Sequence, residues 1–293
     1  MNIIMKSAFV FPGQGSQFIG MGKGLAEKLL EQANQILGFD LKKLCFEGPE
    51  EELKKTEVTQ PAILTVSVAA FERLTASGLQ PSVVAGHSLG EYSALIAAGV
   101  VRFEDAVKVV HLRGKFMQEA VPVGEGAMAA LLGGDRETIK KICQEVGGVW
   151  PANFNSPGQV VISGKKESVA LAGEKLKAAG VKKVIPLAVS APFHCPLMQP
   201  AADKLKIELD KITFNAAKIP VVANVTADYV TDGMQIKELL VKQVTGSVLW
   251  EDSIQKMVVD GISNFVEVGP GKVLSGLINK INKEAVVKTY QEV

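Results

Sequence analysis

The sequence predicts an α/β protein with a parallel sheet, interrupted part-way by a smaller unit of different topology. Three observations lead there. Through the first part of the chain, short apolar runs bounded by Gly and Pro alternate with longer segments of helical periodicity. The apolar run Val83-Val84-Ala85 enters the pentapeptide Gly86-His87-Ser88-Leu89-Gly90, and an Ala-rich segment leaves it, the pattern of buried strand, sharp turn and helix. Beyond the Pro/Gly-rich stretch from Val121 to Gly126 the order becomes strand, helix, strand, strand, helix, strand.

In chain order, Ser7 to Phe11 reads as a first strand running into the loop Pro12-Gly13-Gln14-Gly15-Ser16-Gln17. The apolar run that begins at Ile3 is too short to span a bilayer and is broken by Lys6, so it belongs to that strand. Leu25 to Leu37 has helical spacing and stops at Gly38. A long apolar helix is expected through Leu74, with Thr59 or Gln60 near its N-cap and Pro61 in its first turn, where the missing N–H is harmless. After the serine turn, the helix from Phe103 to Ala120 carries Val107, Val110, Arg113, Gly114 and Met117 on roughly one side, setting Arg113 among apolar neighbours.

The middle unit reads as strand 127–132, helix 136–146, strands 149–153 and 159–163, helix 166–179 and strand 182–187. This is the split β-α-β order of ferredoxin-like units. Helices 197–209, 236–243, 250–260 and 273–279, with strands 220–225 and 264–268, then return to the first unit. The expected division is a catalytic unit of residues 1–124 and 193–293 around a small unit of residues 125–192.

At 293 residues the chain can bury a large core, and 47% apolar with 22% charged residues is ordinary for a globular enzyme. A formal net charge of +1 gives no electrostatic footprint for nucleic acid, and no segment calls for a membrane. Cys45, Cys143 and Cys195 are odd in number, far apart and without metal-ligand spacing, so reduced thiols in a cytoplasmic protein with no metal site are expected.

The pentapeptide is a nucleophile elbow. A serine on a strained turn, with a helix packed close behind the strand, leaves no room for side chains two residues before and after it. Ser88 is therefore the expected nucleophile, and the first N–H groups of the following helix point where an oxyanion would form. The Gly13/Gly15 loop raises a phosphate-binding alternative that fails on spacing, since Phe18 stands where a third glycine would and no Lys-Ser/Thr pair follows. A second oxyanion donor from that loop is the more useful reading.

A serine nucleophile needs a base, and there are three histidines. His87 adjoins Ser88 and leaves the elbow on another side, while His111 lies within a helix and points away from Arg113. His194, on the Pro-framed loop Pro192-Phe193-His194-Cys195-Pro196, is the candidate. Cys195 invites a Cys/His alternative, but adjacent side chains diverge and the cysteine has no elbow of its own.

Taken together, Phe11-Pro12-Gly13-Gln14-Gly15-Ser16-Gln17, Gly86-His87-Ser88-Leu89-Gly90-Glu91, Arg113-Gly114-Lys115-Phe116-Met117, Asn153-Phe154-Asn155-Ser156-Pro157-Gly158-Gln159, Phe193-His194-Cys195 and Glu267-Val268-Gly269-Pro270-Gly271 resemble the malonyl-CoA:acyl carrier protein transacylases. The resemblance covers nearly the whole chain in order. It implies an α/β-hydrolase-like core with an inserted ferredoxin-like subdomain, Ser88 as nucleophile and His194 as general base and acid. It further implies that Arg113 binds the malonyl carboxylate, that Gln14 and Leu89 lend backbone N–H groups to the oxyanion hole, and that Gln243 orients His194 through its backbone carbonyl. One departure is Ser247, where the family commonly has proline.

The implied reaction is malonyl transfer from malonyl-CoA to the phosphopantetheine thiol of acyl carrier protein through malonyl-Ser88, feeding fatty acid synthesis and using no cofactor. The alternatives are a serine thioesterase or carboxylesterase, a polyketide-pathway acyltransferase, and a silent carrier-protein-binding module. Phe193 beside His194 is expected to crowd branched acyl chains.

Overall fold

The computed structural model describes residues 6–189 and 191–293. The part of the Ile3 to Phe11 run ahead of Lys6 lies outside the described residues. In chain order the elements are β1 (Ser7–Phe11), α1 (Glu27–Leu37), α2 (Leu41–Glu47), α3 (Glu50–Leu53), α4 (Thr56–Ala76), β2 (Val83–Gly86), α5 (Gly90–Ala97) and α6 (Phe103–Glu119). There follow β3 (Gly126–Leu132), α7 (Arg136–Val146), β4 (Val149–Ser156), β5 (Gln159–Lys165), α8 (Lys166–Ala178) and β6 (Lys183–Pro186). A short 3-10 turn, Pro196–Met198, precedes α9 (Gln199–Leu209), β7 (Val221–Val222), β8 (Tyr229–Val230), α10 (Gly233–Thr245), α11 (Trp250–Val259), β9 (Asn264–Glu267), α12 (Val273–Ile281) and β10 (Val286–Thr289).

The fold is mixed α/β with two sheets. The first has the order β10-β9-β1-β2-β7-β8, parallel throughout except for the β7–β8 hairpin. The second has the order β4-β5-β3-β6 with every pair antiparallel. Apolar strands at the centre of a parallel sheet are buried on both faces, and the period-two alternation divides their side chains. Ala8, Val10, Val83 and Ala85 pack with Trp250, Ile254 and Phe265, whereas Phe9, Phe11 and Val84 join the larger core with α4 and α6.

One expectation is corrected. Helix α4 starts at Thr56 with Lys55 as its N-cap, so Gln60 and Pro61 lie inside it. Pro61 cannot donate to the carbonyl of Glu57 four residues back, and that carbonyl instead takes a hydrogen bond from His111 Nδ1 at 2.8 Å. A partner on α6 thus supplies what the proline removes. The close approach of the two helices rests on Gly114, where a Cβ would lie 2.6 Å from the Thr56 carbonyl oxygen.

Four short elements carry too little pattern to be read from sequence. Helix α2 buries only Leu41 and Cys45 and depends on the Asp40 side chain accepting from Lys43 N–H; α3 is a single turn; β8 has two residues; and β10 is a half-exposed edge strand. The Glu267-Val268-Gly269-Pro270-Gly271 motif has a structural use. The buried Glu267 carboxylate accepts from Leu274 N–H at 3.0 Å, from Ser275 N–H at 2.7 Å and from Ser275 Oγ at 2.7 Å, capping α12.

Among the described residues no helix is long and apolar enough to cross a membrane. Glu267→Ala is expected to destabilise the fold by about 2 kcal/mol, because one buried and two partly buried donors lose their acceptor. A urea-denaturation midpoint checks this, with an unchanged midpoint overturning the capping role.

Candidate active site

The elbow forms where β2 meets α5. Ser88 has φ 51°, in the left-handed region that a serine occupies only under constraint. Close packing supplies the constraint. A Cβ at Gly86 would run into the Gly90 carbonyl, one at Gly90 into the Phe11 carbonyl, and one at Gly13 into the His87 carbonyl. The loop after β1 is thereby held against the turn. Ser88 N–H donates to Asn224 Oδ1 at 2.7 Å, and Asn224 Nδ2 donates to the Gly86 carbonyl at 2.6 Å.

His194, also at positive φ (58°), brings Nε2 to 2.7 Å from Ser88 Oγ. Its Nδ1 lies 2.8 Å from the backbone carbonyl of Gln243 at the end of α10. A carbonyl can only accept, so Nδ1 carries the proton and Nε2 is free to receive the one on Ser88 Oγ. Burial, reinforced by the nearby Arg113 charge, pulls the His194 pKa down to about 3, so the ring is neutral at physiological pH.

Arg113, on α6, is fully buried. Its Nη1 donates to Gln60 Oε1 at 2.8 Å, and its Nη2 donates to Gln243 Oε1 at 2.9 Å and to Ser88 Oγ at 3.1 Å. Among the described residues it forms no ion pair. A buried guanidinium held only by neutral acceptors is a site prepared for an anion. Gln14 and Leu89 both border the same cleft as Ser88, and among the described residues neither of their N–H groups has a protein acceptor. Two unspent donors therefore flank the hydroxyl.

The cleft has a volume of about 490 Å³ and lies between the two sheets, with Met117, Met128, Val161 and Phe193 among its apolar lining and Gln17 and Asn155 among its polar lining. The Ser247 segment links the sheets. Ser247 Oγ donates to the Pro151 carbonyl at 2.6 Å, and Val248 forms a parallel bridge with Asn153 of β4. Arg136 of α7 adds a two-pronged pair with Asp252 of α11 at 2.7 and 2.6 Å.

The other sequence candidates separate cleanly. His87 packs edge-on against Trp250 and shares a 2.8 Å hydrogen bond with Asn155. Cys195 Sγ donates to the Pro192 carbonyl at 3.1 Å, and burial pushes its thiol pKa up, away from thiolate chemistry. The sequence assigns no role at the site to Gln60, Asn224 or Glu91, though Gln60 and Asn224 bond directly to Arg113 and Ser88. Only Glu91 carries a local signal, an acidic residue next to the second elbow glycine on an otherwise apolar helix start.

The family model for the acyl transferase domain matches residues 8–292. A malonyl CoA-acyl carrier protein transacylase of Escherichia coli (strain K12) is 54% identical over 284 residues, covering 94% of this chain and 92% of the relative. The chain belongs to this transacylase family. Among solved structures, an acyl carrier protein S-malonyltransferase from Vibrio cholerae is similar at TM-score 0.95 and 46% identity, with 97% of this chain and 96% of that one covered. A malonyl-transacylase solved in complex with a type II polyketide synthase acyl carrier protein is similar at TM-score 0.93 and 47% identity, covering 97% and 94%.

A depressed His194 pKa means the imidazole stays neutral as pH falls through the ordinary histidine range near 6.5 and takes a proton only on approach to about 3. Labelling of Ser88 by a neutral fluorophosphonate is expected to show no inflection near 6.5 attributable to His194. Arg113→Ala, which removes one of the pKa-lowering causes, is expected to move the acid limb upward. A wild-type acid limb centred on 6.5 would contradict the buried neutral imidazole.

Proposed function

We propose that the chain moves a malonyl group from malonyl-CoA to the phosphopantetheine thiol of acyl carrier protein through a malonyl-Ser88 ester. The observation that carries this reading is the buried Arg113, without an ion-pair partner among the described residues and 3.1 Å from Ser88 Oγ. On a malonyl-serine the free carboxylate lies only two carbons from the ester oxygen, within reach of that guanidinium. Two parallel charge-assisted bonds would meet it there.

In the first half-reaction Ser88 Oγ attacks the thioester carbon while His194 Nε2 takes its proton. The carbonyl oxygen becomes an oxyanion received by the N–H groups of Gln14 and Leu89. The C–S bond then breaks, and the CoA sulfur leaves with the proton from His194. In the second half the carrier's thiol gives its proton to Nε2 and attacks the ester carbon, and Ser88 Oγ recovers the proton as the acyl–oxygen bond breaks. Gln243 holds Nδ1 throughout, in the place where many serine hydrolases use a carboxylate. These side chains account for every bond and proton, so the reaction needs no metal or redox cofactor.

The architecture we assign is an α/β-hydrolase-like core of residues 1–124 and 193–293 with a ferredoxin-like insertion of residues 125–192. The mostly parallel sheet carrying the elbow and the antiparallel order β4-β5-β3-β6 support it. Buried, unbridged Cys45, Cys143 and Cys195 suit a cytoplasmic enzyme of fatty acid synthesis.

Mixing the protein with malonyl-CoA, quenching in acid and mapping the mass is expected to show one malonyl group on Ser88, absent in Ser88→Ala, and discharged faster by acyl carrier protein than by water. Discharge by water at the same rate would make the chain a hydrolase. Arg113→Ala is expected to lose malonyl transfer by about 10²-fold or more while keeping transfer of uncharged acyl groups, as removal of a carboxylate-specific contact requires; equal loss on both would argue against that contact. Phe193, buried and lining the cleft, is expected to favour malonyl over methylmalonyl. Comparable kcat/KM values for the two thioesters would overturn this.

A further inference from the structure

Glu91 is a carboxylate in the first turn of α5, almost wholly buried and remote from any role in the steps above. Its Oε2 accepts from Gln243 Nε2 at 2.7 Å and from the backbone N–H of Asn224 at 3.2 Å. The Gln243 amide is thereby oriented. With Nε2 turned to Glu91, and also donating to the Ser88 carbonyl at 3.0 Å, Oε1 faces Arg113 Nη2 at 2.9 Å. A reversed amide would set NH₂ against the guanidinium and oxygen against two other acceptors, three wrong contacts in a buried place.

We propose that Glu91 is a positioning residue for malonyl recognition: by fixing the Gln243 amide, and with it the Arg113 guanidinium, it sets the carboxylate end of the acyl pocket. The inference rests on the reading of Arg113 as the malonyl-binding group. Both bonds to Glu91 end on a single oxygen, which makes the role one of hydrogen-bond acceptance that a neutral amide can reproduce. Burial pushes the Glu91 pKa up to about 7, consistent with a group whose acceptor oxygen matters more than its charge.

The test compares Glu91→Ala, Glu91→Gln and Arg113→Ala with the unaltered chain, reading kcat/KM for malonyl-CoA and for acetyl-CoA and the rate of fluorophosphonate labelling of Ser88. Glu91→Ala is expected to lower kcat/KM for malonyl by about 10- to 100-fold, the scale of a misplaced positioning group, while acetyl transfer and Ser88 labelling stay within about threefold. Glu91→Gln is expected to restore malonyl transfer to within about threefold of the unaltered chain. Parallel loss of malonyl, acetyl and labelling in Glu91→Ala would make Glu91 a support of the elbow and overturn the inference. So would a Glu91→Gln variant as impaired as Glu91→Ala. Arg113→Ala that spares malonyl transfer would bring down the reading of Arg113 and this inference with it, whereas Arg113→Ala behaving as expected beside a fully active Glu91→Ala would overturn the inference alone.

Discussion

Three backbone segments meet at the serine turn with no space for a side chain between them, and the site is built outward from that contact. Gly86 lies against Gly90, Gly90 against the Phe11 carbonyl, and Gly13 against the His87 carbonyl. The parallel pairing of β1 with β2, which sets Phe11 beside Gly86, brings them together. What the packing fixes is a serine at positive φ, a conformation the surrounding structure has to impose. The same contact delivers the Gln14 loop to the mouth of the cleft. The position of the Ser88 hydroxyl and the N–H groups beside it, unpaired among the described residues, are therefore products of one steric arrangement.

A buried polar network extends this arrangement sideways. Asn224 ties the Ser88 N–H to the end of β7, Gln243 ties the Ser88 carbonyl to α10, and Glu91 joins Asn224 to Gln243. Gln243 serves two groups with two different atoms. Its backbone carbonyl holds the His194 ring and its side-chain oxygen holds Arg113. His194 and Arg113 are thus referenced to one residue, and linked buried hydrogen bonds hold one another's geometry in a way that isolated pairs do not. The guanidinium at its centre forms no direct ion pair among the described residues, so a buried charge there is left with neutral hydrogen-bond partners.

Much of the chemistry was legible in the sequence because it is written in local patterns. The elbow announces itself through its glycines and flanking apolar runs, and three histidines are few enough for His194 to be found by elimination. The order of strands and helices from Gly126 to Pro186 reads correctly because most of those elements are bounded by turn residues. Legibility ended where a residue's meaning depends on a distant partner. Pro61 looked like a helix start because a proline is harmless there; in the fold it sits one turn further in, and His111 of another helix fills the vacancy it makes. Gln60 and Asn224 are ordinary polar residues until tertiary structure sets one against Arg113 and the other against Ser88.

The sequence by itself determined the alternation of strands and helices, the serine turn, the candidate histidine and the family, since apolar periodicity, glycine spacing and residue type are properties of short stretches of chain. Tertiary structure alone decided which backbone N–H groups beside Ser88 stay without an acceptor, which nitrogen of His194 faces the serine, and that Arg113 lies buried without a direct ion pair among the described residues. Each of those is a distance between atoms whose residues lie as far as 155 positions apart in the chain, as with Gln243 and Ser88, and no local pattern encodes it.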